Sequence, residues 1–195
     1  MIILISGPSG AGKSSVIARV MAEDRRLAFS VSTTTRTPRA GEADGVDYDF
    51  VDDEEFDRLL TGDAFVEWAE VHGERYGTRR SRLDELAFTG RLPLLDIDVQ
   101  GGTQVIPRFG DELVSIFLFP PSWEELERRL RGRGTDSAEV IVRRMDNARA
   151  EVAMADRYGY WVVNETVEQA AEHIAAILLA EESKREAWPE PPLVP

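Results

Sequence analysis

Short apolar runs alternate with amphipathic stretches along this chain, and the spacing predicts its elements. Residues 1–6 are a β-branched apolar strand, and 15–22 have the apolar period of a helix. A second strand is expected over 27–32, followed by a polar, Thr-rich run over 33–39 and a turn-rich loop over 40–45. Residues 46–51 alternate apolar and polar as a half-buried strand does, and Asp52 or Asp53 would cap a short helix ending near Leu60. Residues 64–71 form another strand, the connection through Tyr76-Gly-Thr78 leads into a helix over 79–88, and Gly90 stops it. Residues 92–98 are apolar almost throughout, the pattern of a parallel strand buried on both faces. A helix opens near Gln100 and is limited or bent by Pro107, and a second buried strand covers 113–119. Ser122 with Glu125 makes a capping box for a helix to about Arg131. Helices over 137–154 and 167–185 flank a last strand at 160–163, and a Pro-rich tail covers 187–195. Strand–helix alternation at both ends, with a strand-rich middle, predicts a parallel α/β core carrying a mixed insertion.

Composition narrows the chemistry. The 195 residues contain no cysteine and only two histidines, so neither thiolate chemistry nor a His-based metal cluster is expected. No run approaches the ~20 apolar residues of a membrane helix. The leading apolar run is too short for a secretory signal and lacks a basic lead, which makes the cytoplasm the expected compartment. A net charge of −13 opposes nucleic acid and anionic membranes, so any phosphate site must gather its cations locally.

Gly7-Pro-Ser-Gly-Ala-Gly-Lys-Ser14 follows the first strand and precedes the first helix, matching G-x-x-x-x-G-K-[ST] in the context that motif requires. Its glycines allow backbone N–H groups to converge on an anion at a helix N-terminus. Lys13 would reach the β- and γ-phosphates of a nucleotide, and the Ser14 hydroxyl would reach Mg²⁺. Arg36 and Arg39, on a loop held extended by Pro38, suit capture of a phosphate monoester. Arg128, Arg129, Arg131 and Arg133 form a second basic group near Gly132 and Gly134, with Arg143 and Arg144 following; Arg128, Arg131 and Arg143 are expected on helix surfaces. Glu67 interrupts an apolar strand, either as an edge charge or as a ligand group, and alternation would put it on one face with Phe65. Asp96 and Asp98 close the 92–98 strand, where acids near a phosphate loop organise Mg²⁺ or bind ligand donors. His72 and His173 are given no role.

Taken together, the phosphate loop, Ser30-Val-Ser-Thr-Thr-Thr-Arg-Thr-Pro-Arg39, Gly45-Val-Asp-Tyr48, Phe65-Val-Glu-Trp-Ala69, Tyr76-Gly-Thr78, Leu95-Asp-Ile-Asp-Val-Gln-Gly101 and Arg131-Gly-Arg-Gly-Thr135 strongly resemble the guanylate kinases, in order and spacing, over residues 2–180. The resemblance implies Mg²⁺-dependent phosphoryl transfer from ATP to GMP, with dGMP as a second acceptor, by a cytoplasmic monomer or homodimer that binds no nucleic acid or membrane. It implies a P-loop α/β core of about 1–32, 91–121 and 155–186, a GMP-binding insertion of about 33–90 and a helical lid of about 122–154. Gly7, Pro8, Ser9, Gly10, Ala11, Gly12, Lys13, Ser14 and Ser15 match the ATP-phosphate positions, with Ser14 on the metal and Asn164 on the adenine side. Ser32, Arg36, Arg39 and Tyr48 match the GMP-phosphate positions. Glu67, Thr78 and Asp98 match the guanine-reading positions, and Tyr76 and Asp96 match further acceptor positions. Arg129, Arg133 and Arg144 match lid and catalytic arginines. A catalytically silent module of the same fold, or a kinase of another nucleoside monophosphate or of a ribose bisphosphate, would be the alternatives; intact Lys13 and Ser14 oppose the first, and the Glu67–Thr78 pairing opposes the second.

Overall fold

The computed structural model describes residues 1–71, 73–132 and 137–184. Among these residues nine strands form two sheets. The first is parallel, with β1 (Ile2–Ser6) at its centre, β7 (Leu92–Asp96) and then β2 (Leu27–Phe29) on one side, and β8 (Leu113–Phe119) and then β9 (Tyr160–Val163) on the other. β1 is central because Ile3, Leu4 and Ile5 are apolar on both faces and wholly buried. Ile3 and Ile5 pack with Val16, Ile17 and Val20 of α1 (Lys13–Glu23) and with Ala171, Ile174 and Leu178 of α7 (Val167–Glu182). Leu4 faces the opposite layer, with Leu83 of α3 (Arg80–Phe88) and Val99 and Val105 of α4 (Val99–Phe109). This is the doubly wound arrangement expected from the alternation of elements.

The second sheet has the order β4 (Asp49–Phe50), β3 (Thr33–Thr34), β6 (Glu74–Arg79), β5 (Phe65–Val71). Against it lies α2 (Asp53–Thr61), whose Phe56 stacks on Phe65 at a centroid distance of 4.7 Å. Gln104 of α4 donates to the Trp68 carbonyl at 2.8 Å, and Arg108 donates to that of Phe65 at 3.3 Å, so one helix ties the small sheet to the large one. Helices α5 (Trp123–Gly132) and α6 (Ala138–Val152) close on their own cluster of Leu126, Leu130, Ile141, Met145 and Ala148.

The caps expected at Asp52 and Ser122 are present, accepting from the N–H groups of Glu55 at 2.8 Å and Glu125 at 3.1 Å. Other expectations are corrected. The strand expected over 27–32 leaves the large sheet after Phe29, and the polar run behind it supplies β3 of the small one. Residues 46–51 are strand only at Asp49–Phe50, because the Asp47 and Asp44 carboxylates take the N–H groups of Ala43 and Phe50 at 2.8 and 2.9 Å. Such local side-chain acceptors compete with a ladder. The connection through Tyr76 is strand β6, paired on both sides; Gly77 within it hid the pattern and is needed there, since a Cβ would stand 2.7 Å from the Phe65 ring. β7 stops at Asp96, and Asp98 instead caps α4, which runs past Pro107 to Phe109.

Register also shifts between Phe65 and Glu67, so two residues of β5 answer one step of β6. Phe65 and Trp68 therefore both meet Phe56, while Val66 enters the core beside Leu83 and Leu95. The simple alternation that paired Phe65 with Glu67 fails at this bulge, and Glu67 is turned towards α4.

Candidate active site

A cavity of about 790 Å³ opens between the two sheets and α6. One wall is the loop between β1 and α1. Gly12, the residue before α1, has φ of 93°, a left-handed conformation that favours glycine, and no side chain caps the helix. A Cβ there would also lie 2.3 Å from the Asn164 amide nitrogen. The uncapped first-turn N–H groups, with the helix dipole behind them, have the chemistry to receive an anion. Gly7, Pro8, Ser9, Gly10, Gly12, Lys13, Ser14 and Ser15 all line the cavity. The Lys13 ammonium donates to the Gly7 carbonyl at 2.7 Å, lying folded over the loop.

Ala11 is buried beneath this wall with Asn164, which donates to the Ala11 carbonyl at 2.7 Å. Arg129 reaches the same carbonyl and that of Asn164, both at 3.2 Å, and pairs with Glu125 at 2.7 Å. Asn164 and Arg129 thus brace the loop from behind. Arg128 and Arg131 make exposed one-turn pairs with Glu125 and Glu127, and Arg143 is exposed, the surface roles expected of all three.

The facing wall carries Tyr48, Glu67, Tyr76, Asp96 and Asp98. Glu67 is only 4% exposed, and its Oε1 accepts from the Thr78 hydroxyl at 2.6 Å. Burial pushes its carboxyl up to about 7; the Asp98 charge adds to that, while the Thr78 hydrogen bond opposes it. Thr78 itself is fully buried behind Glu67. Asp98 accepts from the Gly101 N–H at 2.8 Å. Burial also raises the Asp96 carboxyl, against the pull of Lys13.

Ser32 is buried outside the cavity lining, and Arg39 is exposed. Arg36 stands behind Tyr48, 5.2 Å from its ring centroid, paired with Glu42 at 2.8 Å. The structure therefore gathers the phosphate loop and the acidic pocket, and keeps the Arg36–Arg39 loop off the lining. Arg133, like His72 and the tail, lies outside the described residues.

From α6 the cavity receives Arg144, Asn147, Ala150 and Glu151. Glu151 is a group the sequence reading did not single out. Burial raises its carboxyl to about 7, with the Asp98 charge adding to the rise and Lys13 opposing it. Its position seven residues after Arg144 puts the two on one helix face, a signal available from spacing alone.

A divalent cation fits this chemistry only in partnership with a nucleotide. Ser14 and Asp96 offer oxygen to the cavity, but among the described residues no three His, Cys, Asp or Glu side chains group to hold a metal ion. A hard cation there must draw most of its ligands from phosphate and water, which is the habit of Mg²⁺.

The guanylate kinase family model matches residues 1–181. The guanylate kinase of Sphingopyxis alaskensis is 47% identical over 185 residues, covering 95% of this chain and 84% of that one. That of Syntrophotalea carbinolica is 50% identical over 181 residues, covering 93% and 86%. Among solved structures, guanylate kinase from Anaplasma phagocytophilum superposes with a TM-score of 0.78 at 37% identity, covering 95% of this chain and 87% of that one.

Proposed function

The chain belongs to the guanylate kinase family, and on that premise we propose how its residues divide the work. The reaction is ATP-dependent phosphorylation of GMP to GDP. The observation that carries the assignment of roles is the buried Glu67–Thr78 pair opening into the same cavity as Lys13.

Loop 7–15 takes the ATP phosphates, with Lys13 leaving the Gly7 carbonyl to meet the β- and γ-oxygens. The Ser14 hydroxyl would hold Mg²⁺ brought in with ATP, and the ion would supply charge neutralisation of the phosphates. Asn164 and Arg129 keep the loop in shape, and Arg144 adds positive charge from α6, which is the moving lid of this reading together with α5 and Arg133. The 33–90 segment is the acceptor-binding unit. Ser32, Arg36, Arg39 and Tyr48 hold the GMP phosphate, with the Arg36 guanidinium exchanging Glu42 for it and Arg39 swinging in. Tyr76 closes the same wall. No covalent intermediate is needed, because in-line transfer is promoted by alignment and electrostatics. The cytoplasm is the compartment of this reading, and among the described residues no helix is long and apolar enough to cross a membrane. The acceptor range includes dGMP, which carries the same base and phosphate.

Glu67, Thr78 and Asp98 read guanine. An ionised Glu67 accepts from N1–H and the 2-amino group together, whereas adenine has an acceptor at N1 and no 2-amino group. A buried acceptor left facing another acceptor is what makes such discrimination large. A coupled assay with ATP–Mg²⁺ across GMP, dGMP, AMP, UMP and CMP tests the reading: turnover is expected with the two guanine nucleotides, and absence of GMP-dependent ADP release overturns it.

Binding guanine requires the ionised Glu67, whose carboxyl titrates near 7 in the empty site. GMP affinity is therefore expected to fall about tenfold per pH unit below that value. The GMP phosphate and Glu151 also titrate in this range, so calorimetry should compare the wild type with Glu67→Gln, which loses the Glu67 step and keeps theirs. Equal slopes for the two proteins would remove the proton from Glu67.

A further inference from the structure

Glu67 owes its position to a neighbour on another element. Gly101 sits in the first turn of α4 in ordinary helical backbone, so its conformation does not ask for glycine. Space does. A Cβ at 101 would stand 2.4 Å from Glu67 Oε2, 3.1 Å from its Cδ and 3.4 Å from Asp98 Oδ1. The carboxylate cannot swing aside and keep its place: the residue is 4% exposed, and Oε1 is held at 2.6 Å by Thr78. One oxygen is thus fixed by a hydrogen bond and the other by a clearance. A methyl group in that clearance must rotate or push back the carboxylate, and a displaced carboxylate cannot face two donors at once.

We propose that Gly101 is a specificity-determining residue for the 2-amino group of guanine, acting by leaving room for Glu67 to present both carboxylate oxygens to the base. The inference rests on the guanine-reading role given to Glu67 above. IMP separates the two oxygens chemically, because it retains N1–H and lacks the 2-amino group.

The test is the steady-state kinetics of Gly101→Ala with GMP and IMP as acceptors. The KM for GMP is expected to rise about tenfold or more, as for loss of one charge-assisted hydrogen bond. The KM for IMP moves less than about threefold and kcat changes less than KM, so the GMP-to-IMP preference collapses by about tenfold. Gly101→Ala introduces a methyl into a packed site and can prevent folding. Shortening the acid withdraws the clashing oxygen, so Gly101→Ala combined with Glu67→Asp is compared with Glu67→Asp alone. If the two positions act through one contact, adding alanine to the shortened acid changes the preference by less than about twofold. An unchanged GMP-to-IMP preference in folded Gly101→Ala overturns the proposal, as does a full additional loss in the Glu67→Asp background. Glu67→Gln, assayed in parallel, separates the two levels: unchanged guanine preference there removes the role of Glu67, whereas a changed one with normal Gly101→Ala removes only that of Gly101.

Discussion

Lys13→Ala is expected to lower kcat about 10³-fold while leaving GMP binding within about twofold of wild type. Charge develops on the transferring phosphoryl group, and a preorganised cation aimed at it acts mainly in the transition state. Lys13 lines the cavity on the side proposed for ATP, and its ammonium lies over the 7–12 loop. The pocket proposed for the acceptor is built by other elements, β5, β6 and the start of α4. The backbone nest of Gly7–Gly12 survives the substitution, so ATP retains part of its affinity. Lys13→Arg is not expected to rescue turnover, because the guanidinium is a planar fork rather than a compact point charge. Single-turnover kinetics and GMP titration calorimetry check the split; a parallel loss of GMP affinity would show that the two half-sites are not separable in this way.

Glu67→Gln should have opposite effects on function and on stability. The amide turns a donor towards the donors of guanine, so KM for GMP rises about 10²-fold or more and the preference over AMP narrows. Stability moves the other way. The Glu67 carboxyl is raised by burial to about 7 in the folded protein, against 4.5 for the ordinary group. The folded state therefore holds a proton that the unfolded state has released, and wild-type stability falls as pH rises from about 4.5 through about 7. The isosteric neutral amide removes that loss and still accepts from Thr78. At pH 8 the substrate-free variant is expected to be more stable by on the order of 3 kcal/mol at most. Urea unfolding at pH 5 and pH 8 measures the difference; a variant equally or less stable at pH 8 would mean that the empty pocket already accommodates the charge. A residue that weakens the empty enzyme and serves its ligand fits the general conflict between stable cores and working sites.

What could be read from the chain alone depended on how local each cause was. The phosphate loop was legible because strand, glycines, Lys13 and helix are contiguous, so their physics is contained in one stretch. β1, β7 and β8 were legible because strands buried on both faces must be apolar throughout. The helix starts at Asp52 and Ser122 were legible because an N-cap is satisfied within three residues.

Tertiary structure decided the rest. β6 is a strand because β3 and β5 flank it, not because Glu-Arg-Tyr-Gly-Thr-Arg has a strong pattern. The bulge that turns Glu67 from the side of Phe65 towards α4 exists only in the pairing with β6. Asp98 looked like the end of a strand because its role as a helix cap depends on where β7 stops. Glu151 is held near Lys13 and Asp98 by the packing of α6 over the cavity; its spacing from Arg144 shows a shared helix face but not what that face meets. The sequence by itself determined the phosphate loop, the apolar strands of the core and the family to which these belong. Only the fold decided that Glu151 shares the cavity and that Glu67, Asp96 and Glu151 hold their protons more tightly than usual, since burial and charge proximity are set by residues distant in the chain.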